Sequence, residues 1–485
     1  MQDYDITNFL NLKDENIKIL SCKTVKTTKE IHFEKQKAIH YCPVCNCRMY
    51  SKGIYQRHIN HPILQDGYSL ELVFHQRRWQ CSSPLCKEVV TDSVSFLDKR
   101  RRNTNITDML IVQAFKDPGL TAAQIARQFK VSDTYALHTF DRYVDLPRRT
   151  LTEAICIDEV HLNISKTCKY ALVILDFATG EPIDLVISRR QQTTEPYFAS
   201  IPPGERAHVK YIVSDMYGPF LDYPKTYFPN AVSAIDSFHV IKLINYHIRR
   251  YLQRLLRKLN GFDLARQRHL EEELGHRVDL VHSREYSLVK HNQWLILSNN
   301  RNIDYGRMRW DFRLKRYVYP SDIERELFKI DPNLKSIRDL KEKYIKFNND
   351  FLGDTKGARE GLKRIIREYR ECPFPLFYEV ADSLNRHFDE IINSFILVDK
   401  YNNKEIVKVR LSNGVMESMN RIPKDMKRNG RGYRNFQHIR NRYLYAMREN
   451  AAILGTPKSW KEVCFKTGRK RGSYNKVVKG PKLKK

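Results

Sequence analysis

Short apolar runs set between turn residues mark the middle of this chain. From residue 153 they read "AICIDEVHL", "KYALVILDF", "PIDLVISRR", "VKYIVSDMYG" and "AVSAIDSFHV", each the length of a buried strand. The "ATGEP" between the second and third predicts a hairpin turn. The segment up to residue 97 is also rich in strand-forming residues, and "DKRRRN" at 98–103 reads as a basic linker. Helical periodicity follows over 106–145, broken by "DPGLT", and returns from 238 to about 405 in a long, very polar stretch. "FQHIRNRYLYAMREN" predicts one more helix, and a Lys-rich tail starts at 466. The expected divisions are therefore 1–97, 98–150, 151–259, 260–405, 406–465 and 466–485, with no internal repeat. The fold class is multidomain α+β.

Composition narrows the partner. The 485 residues are 41% hydrophobic and 29% charged, enough apolar material for real cores. Lys and Arg number 85 against 56 Asp and Glu, a net charge of +29. Such an excess points to nucleic acid, because Lys and Arg displace condensed counterions from phosphates. Neither end has an amphipathic basic helix with an apolar anchor, no run of 18 or more apolar residues occurs, and no signal peptide is evident. The chain is expected to have no membrane partner. Ten cysteines in so long a chain do not make a disulfide framework, so a reducing, cytoplasmic setting is expected.

Four of those cysteines form two knuckles. "CPVC" holds Cys42 and Cys45, and "CSSPLC" holds Cys81 and Cys86. Two such turns can close a tetrahedron of thiolates around a structural Zn²⁺, which would help a small strand-rich domain to fold. His40, Cys47, His58 and His61 lie close enough in sequence to stand in as ligands. Downstream, "LTAAQIARQFKVSDTYALHTFDRYV" has the pattern of a helix-turn-helix. Thr121 caps a first helix with Ile125, Ala126 and Phe129 facing inward, and Val131 packs in the turn. Ser132 caps a second helix that carries Thr134, Tyr135, His138 and Thr139 at exposed or half-exposed positions, the part that would enter a major groove. Arg100, Arg101 and Arg102 just upstream are available for phosphates.

Asp158 and Asp215 each follow an apolar strand run, and Glu417 sits in "SNGVMESMNRIPKDMKRNGRGYRNF" ahead of a dense basic run. Two Asp and one Glu brought together make a site for hard divalent cations, and paired cations suit phosphodiester chemistry. An Asp at a strand end is also a common turn former or helix cap. Taken together, "AICIDEVHL", "YIVSDMYGPF", "AIDSFHV" and the Glu417 motif resemble the DDE transposases of bacterial insertion sequences, the ISL-three family. The order of cysteine knuckles, helix-turn-helix and acidic segments fits that resemblance along the whole chain.

The resemblance implies a zinc-ribbon-like DNA-recognition domain, a helix-turn-helix, and a ribonuclease-H-like α/β catalytic domain interrupted by an all-helical insertion over 260–405. It places the acidic triad and the Mg²⁺ ligands on Asp158, Asp215 and Glu417, with two ions and Mn²⁺ as a substitute. It puts DNA contacts on Lys424, Lys427 and Arg428. Lys424 lies two helical turns after Glu417, although Pro423 is expected to kink or interrupt that helix. Asp236 and His239 are secondary candidates beside the site, Asp236 being equally readable as a helix cap. Trp294 is a further candidate for stacking on a base or, more blandly, a core residue. The implied partners are the element's terminal inverted repeats and target DNA, bound by a homodimer or larger assembly associated with a bacterial nucleoid. The competing readings are a transposase-derived DNA-binding regulator without chemistry, and, from charge alone, a structural RNA- or ribosome-binding protein. The second leaves the knuckles and the helix-turn-helix unexplained.

Overall fold

The computed structural model describes residues 7–8, 10, 12, 14, 16–65, 68–98, 101–164, 168–402, 405–430, 433 and 435–465. The chain divides into two compact units, residues 1–147 with 422–485, and residues 148–421. The C-terminal segment after Arg421 thus belongs with the N-terminal unit, where the sequence reading had grouped 406–465 with the catalytic core.

The first unit opens with a five-stranded sheet of β1 (Ile17–Val25), β2 (Thr28–Lys35), β3 (Met49–Gln65), β4 (Tyr68–Cys81) and β5 (Val89–Thr91). Its order is β1-β2-β4-β3, with β5 paired to β4. The long β3–β4 pairing brings Met49 opposite Cys81, so the two cysteine knuckles meet at one end of the hairpin. Phe33, Ile59, Leu72 and Phe74 are fully buried on one face, with Phe33 stacked on Phe74 at 4.9 Å.

His61 lies in the same core, 2% exposed. Its ring nitrogens lie 3.1 Å from the Thr104 hydroxyl and 3.1 Å from the Leu10 carbonyl, and burial holds its pKa down to about 4. A histidine kept neutral by the fold gives up stability as acid rises, because the unfolded chain takes the proton first. The stability is complete above pH 6.5 and is lost as pH falls toward 4. The loss amounts to about 3 kcal/mol. Urea melts of the full chain across that window show it as a slope, which flattens in His61→Asn; an equally steep slope in the variant would exclude this histidine as its source.

Three helices follow: α1 (Asn105–Ala114), α2 (Ala122–Gln128) and α3 (Asp133–Tyr143). The expected caps form. The Thr121 hydroxyl accepts from the Gln124 amide at 3.3 Å while Gln124 Oε1 accepts from the Thr121 amide at 2.8 Å. Ser132 Oγ accepts from the Tyr135 amide at 3.2 Å. Ile125, Ala126 and Phe129 are buried as the periodicity predicts, but Thr139 is fully buried instead of half-exposed.

The second unit is built on β6 (Ala154–His161), β7 (Tyr170–Asp176), β8 (Pro182–Val186), β9 (Tyr211–Ser214) and β10 (Val232–Ile235), the five runs read from sequence. Their order is β10-β9-β6-β7-β8. β6, β7 and β8 form an antiparallel meander, and β9 and β10 add in parallel to the other side of β6. The Asp176 carboxylate closes the β7–β8 hairpin, accepting from the amides of Ala178 and Thr179 at 3.2 Å each. Gly180, at φ 75°, completes the turn in the left-handed region. Helices α4 (Gln191–Ala199), α5 (Pro203–His208) and α6 (Gly218–Tyr227) make the crossovers.

After β10 the chain enters α7 (Ser237–Leu274), 38 residues without a break, so the expected boundary at 259/260 falls inside one helix. The insertion continues through α8 (Arg284–Leu297), β11 (Arg309–Asp311), β12 (Arg316–Val318), α9 (Pro320–Ile330), α10 (Asn333–Asp350), α11 (Thr355–Glu371), α12 (Pro375–Arg386), α13 (Phe388–Asn393), β13 (Leu397–Asn402) and β14 (Glu405–Arg410). It is not all-helical: two antiparallel hairpins interrupt it. The first is set by Asp311, whose carboxylate accepts from the amides of Arg313 and Leu314 at 2.8 and 2.9 Å, a local turn that helical periodicity does not register. Leu334, Ile337, Tyr344, Leu362, Phe377 and Val380 are among the buried residues of the insertion's core.

Helix α14 (Gly414–Asn429) carries the Glu417 motif. The helix is continuous through Pro423, against the expected interruption, and the division between the units falls within it, between Arg421 and Ile422. Helices α15 (Phe436–Met447) and α16 (Trp460–Phe465) belong to the first unit. There α15 buttresses the helix-turn-helix: His438 Nδ1 lies 2.7 Å from Asp141 Oδ1, and Asn441 Nδ2 donates to the Val144 carbonyl at 3.0 Å. Among the described residues no helix is long and apolar enough to cross a membrane.

Candidate active site and metal centre

Parallel pairing sets the acidic residues side by side. Cys156 on β6 pairs with Val213 on β9, and Ser214 on β9 pairs with Ile235 on β10. Continuing each register puts Asp158 beside Asp215 and Asp215 beside Asp236, on three adjacent strands. Asp158 is half-buried within β6, and its pKa is raised to about 6 by burial and by the negative charge of Asp215. The Glu159 amide, at 2.7 Å, and the charge of His239 pull the other way. Asp215 Oδ1 accepts from the Tyr217 amide at 3.0 Å.

Two acidic residues stand together on β6, and their surroundings separate them. Glu159 pairs with Arg189, whose guanidinium also lies 4.6 Å from the ring centres of Tyr170 and Tyr217. Among the described residues Asp158 makes no ion pair. Instead Asn420 Nδ2, on α14, donates to Asp158 Oδ2 at 2.8 Å. Glu417 lies one helical turn before Asn420 and is exposed. The helix that carries Glu417 is therefore docked on the strand that carries Asp158. Asp158, Asp215 and Glu417 do not form a set within 4.8 Å of one another; among the described residues only the cysteine cluster does so for three or more such ligands.

The donor set suits a hard cation. Two carboxylates repel one another without a counter-charge, and Asn420 Oδ1 and Asn413 Oδ1 are buried oxygens without a hydrogen-bond partner. Asp236, 5% exposed, heads α7, but its side chain makes no capping bond, so the cap reading holds only for its backbone position.

Cys42, Cys45, Cys81 and Cys86 form that one cluster. Cys42 Sγ is 3.6 Å from Cys86 Sγ and Cys45 Sγ is 3.3 Å from Cys81 Sγ, near the ~3.8 Å separation that ~2.3 Å zinc–sulfur bonds impose on a tetrahedron. The Cys45 thiol is pulled down to about 6 by the Cys47 backbone and by Cys81. The alternative ligands have other partners. His40 packs on Trp79 with ring centres 4.4 Å apart, His58 pairs with Glu71 at 3.3 Å, and His61 is held in the sheet core. Cys47 packs beside the cluster without joining it.

The family described as "Transposase", the ISL3 type of DDE transposase, matches residues 155–443, more than half of the chain. The chain belongs to the ISL3 family of DDE transposases. It is also similar to the transposase for insertion sequence element IS1001 of Bordetella parapertussis, 22% identical over 284 residues that cover 57% of this chain. The match spans 63% of that relative's length.

The remaining candidates of this ISL3-family chain separate by accessibility. Arg100 lies outside the described residues. Arg101 and Tyr135 point inward: Arg101 donates to Asp108 at 2.7 Å and to the Tyr135 hydroxyl at 2.6 Å, and that hydroxyl donates to Asp108 at 2.7 Å. Asp108 is fully buried and also faces Arg142 at 3.4 Å, so this quartet locks α1 to α3, while Arg101 and Tyr135 stay half-exposed. Arg102, Ser132 and Thr134 are exposed. His138 lies edge-on to Trp460, centroids 6.2 Å apart. Arg57, Lys130 and Asn103, which the motif pattern missed, join Arg101, Arg102, Ser132 and Tyr135 around a groove of roughly 890 Å³ at the start of α3.

On α14, Lys424 is exposed, Lys427 is half-buried, and Arg428 pairs with Asp425 at 2.9 Å. Trp294 is half-buried against the insertion core with the Arg309 guanidinium 4.7 Å over its ring, which is the bland reading of that residue.

Proposed function

We propose that this chain is an active DNA transposase with a ribonuclease-H-like catalytic core built on β6–β10. Its zinc knuckles and helix-turn-helix recognise the terminal inverted repeats, with base contacts from the start of α3 and phosphate contacts from Arg102 and the groove beside it. Asp158, Asp215 and Glu417 hold Mg²⁺, which when bound neutralises charge at the phosphate and lowers the barrier to in-line displacement. Asn420 keeps the Asp158 carboxylate oriented, and Arg189 withdraws Glu159 from competition. In the first step the oxygen of a water forms a bond to phosphorus and the 3′-oxygen leaves, taking a proton. In the second, that 3′-hydroxyl attacks a target phosphodiester, so one ester bond replaces another and no protein nucleophile is consumed. Pairing two DNA ends in one complex requires at least two copies of the chain.

The observation that carries this reading is the contact from Asn420, on the Glu417 helix, to Asp158, beside Asp215. The experiment uses the full-length protein, a labelled duplex carrying the element's own end, and Mg²⁺ or EDTA. Nicking at the 3′ end of the element that needs the metal supports the proposal. Specific binding with no nicking in Mg²⁺ or Mn²⁺ identifies instead a DNA-binding regulator.

A further inference from the structure

We infer that the outer face of α7 is a track for the DNA backbone running away from the acidic site, an inference that rests on the proposed function. The helix begins at Asp236, next in register to Asp215. From Ser237 to Phe262 it holds Lys242, Arg249, Arg250, Arg254, Arg257 and Lys258 and no Asp or Glu. All six cations are exposed. Lys242, Tyr246, Arg249, Arg250, Gln253 and Arg257 follow one another at spacings of four, three, one, three and four, which is one stripe of an α-helix. The opposite face, with Val240, Ile244, Ile248 and Leu252, is buried in the insertion core.

A solvated polar face is the alternative, and the rest of the insertion shows what one looks like here. There exposed cations are matched by nearby acids: Arg325 with Asp322, Lys329 with Glu326, Lys363 with Glu360. Along the α7 stripe, among the described residues, the sole ion pair of these cations is Arg250 with Glu379, at a loose 3.8 Å. Exposed aromatic rings lie among the cations, Phe238 at 52% and Tyr246 at 55% exposure. Beyond Phe262 the pattern changes to mixed charge, with Glu271, Glu272 and Glu273 closing the helix. The unpaired cations thus occupy the part of α7 nearest the acidic residues. From Lys242 to Arg257 the stripe is about 22 Å long at ~1.5 Å per residue. That length spans roughly six nucleotides of one strand at ~3.4 Å each. Cations along a line of that length, with a single loose ion pair among them, fit a phosphate backbone, read without regard to sequence.

The test measures how the affinity of the full-length protein for a duplex of about 40 base pairs without element sequence depends on salt, in EDTA so that no cleavage intervenes. Each phosphate contact contributes a slope of about 0.9, so the variant Lys242→Gln/Arg249→Gln/Arg250→Gln/Arg257→Gln is expected to lower the slope by about 3 to 4. Arg359→Gln/Lys363→Gln, on a face with paired charge, leaves it unchanged. Arg249→Lys/Arg250→Lys/Arg257→Lys keeps the wild-type slope, which separates lost charge from a disturbed helix. A slope in the quadruple Gln variant equal to wild type, or a loss reproduced by the Lys variant, overturns the inference. Absence of cleavage in Mg²⁺ bears on the proposed function and leaves this slope untouched.

Discussion

Replacing Asp158 with Asn lowers metal-dependent strand cleavage by about 10³-fold or more, the order lost when a group that stabilises charge at the reacting centre is removed. The same change at Glu417, to Gln, is expected to have a comparable effect, because the proposed function places both carboxylates in the set that holds the cation. The fold survives in both variants. Asn at 158 keeps an oxygen for the Asn420 amide, and Glu417 is exposed at the start of α14. Mg²⁺ raises the melting temperature of the wild-type chain, since a ligand that binds only the folded state stabilises it, and fails to raise that of Asp158→Asn. The contrast is Glu159→Gln. Its carboxylate is engaged by Arg189, so cleavage is expected to fall by less than about tenfold. Equal loss in Asp158→Asn and Glu159→Gln would refute the assignment of the β6 ligand.

Removing a zinc ion held by the cysteine cluster is expected to have the larger consequence for stability. Four cysteines at the open end of one hairpin close the cluster, and their immediate apolar support is slight: Met49, Trp79 and Val90. A structural Zn²⁺ contributes on the order of 10 kcal/mol to a small domain, far beyond what those side chains supply. Purified protein is therefore expected to carry one zinc per chain. Cys81→Ser, or a strong chelator, releases it, and the early unfolding transition drops by more than about 10 °C. Specific binding of the element end is lost with it, whereas Cys372→Ser, buried in the insertion, keeps both metal and binding. Full zinc content in Cys81→Ser, measured by atomic spectroscopy, would remove Cys81 from the ligand set.

How much of this was legible in the chain varies with the range of the interaction. The cysteine knuckles are written locally, each pair fixed by its own turn, and spacing put the four that cluster first, with Cys47 and three histidines left open as alternatives. Capping signals are local too: Thr121 with Gln124, and Ser132, form the bonds that their side chains predict. The five strand runs appear where alternating and continuous apolar patterns place them, because a sheet buried under helices selects such residues on every strand. Lone charges were less legible. Arg101 and Tyr135 read as DNA-facing from their position in the motif, and they line the groove there, but both also satisfy the buried Asp108, a partner no spacing rule reveals. Histidines near the knuckles were open alternatives until the long β3–β4 register carried His58 and His61 away from the cysteines.

By itself, then, the sequence determined the elements whose information lies within a few residues: knuckles, caps, strand runs, and the motifs that mark the family. Only tertiary structure decided which polar groups answer which. It settled that Glu159 is ion-paired with Arg189, and that Asn420 binds Asp158 from 262 positions away. It also settled that residues 422–465 belong with the helix-turn-helix, and that α14 passes Pro423 without a break. The physical reason is the same in each case. Burial makes an unpaired charge or donor costly, so its partner is chosen by what the packed chain brings within hydrogen-bonding distance, whatever the separation along the sequence.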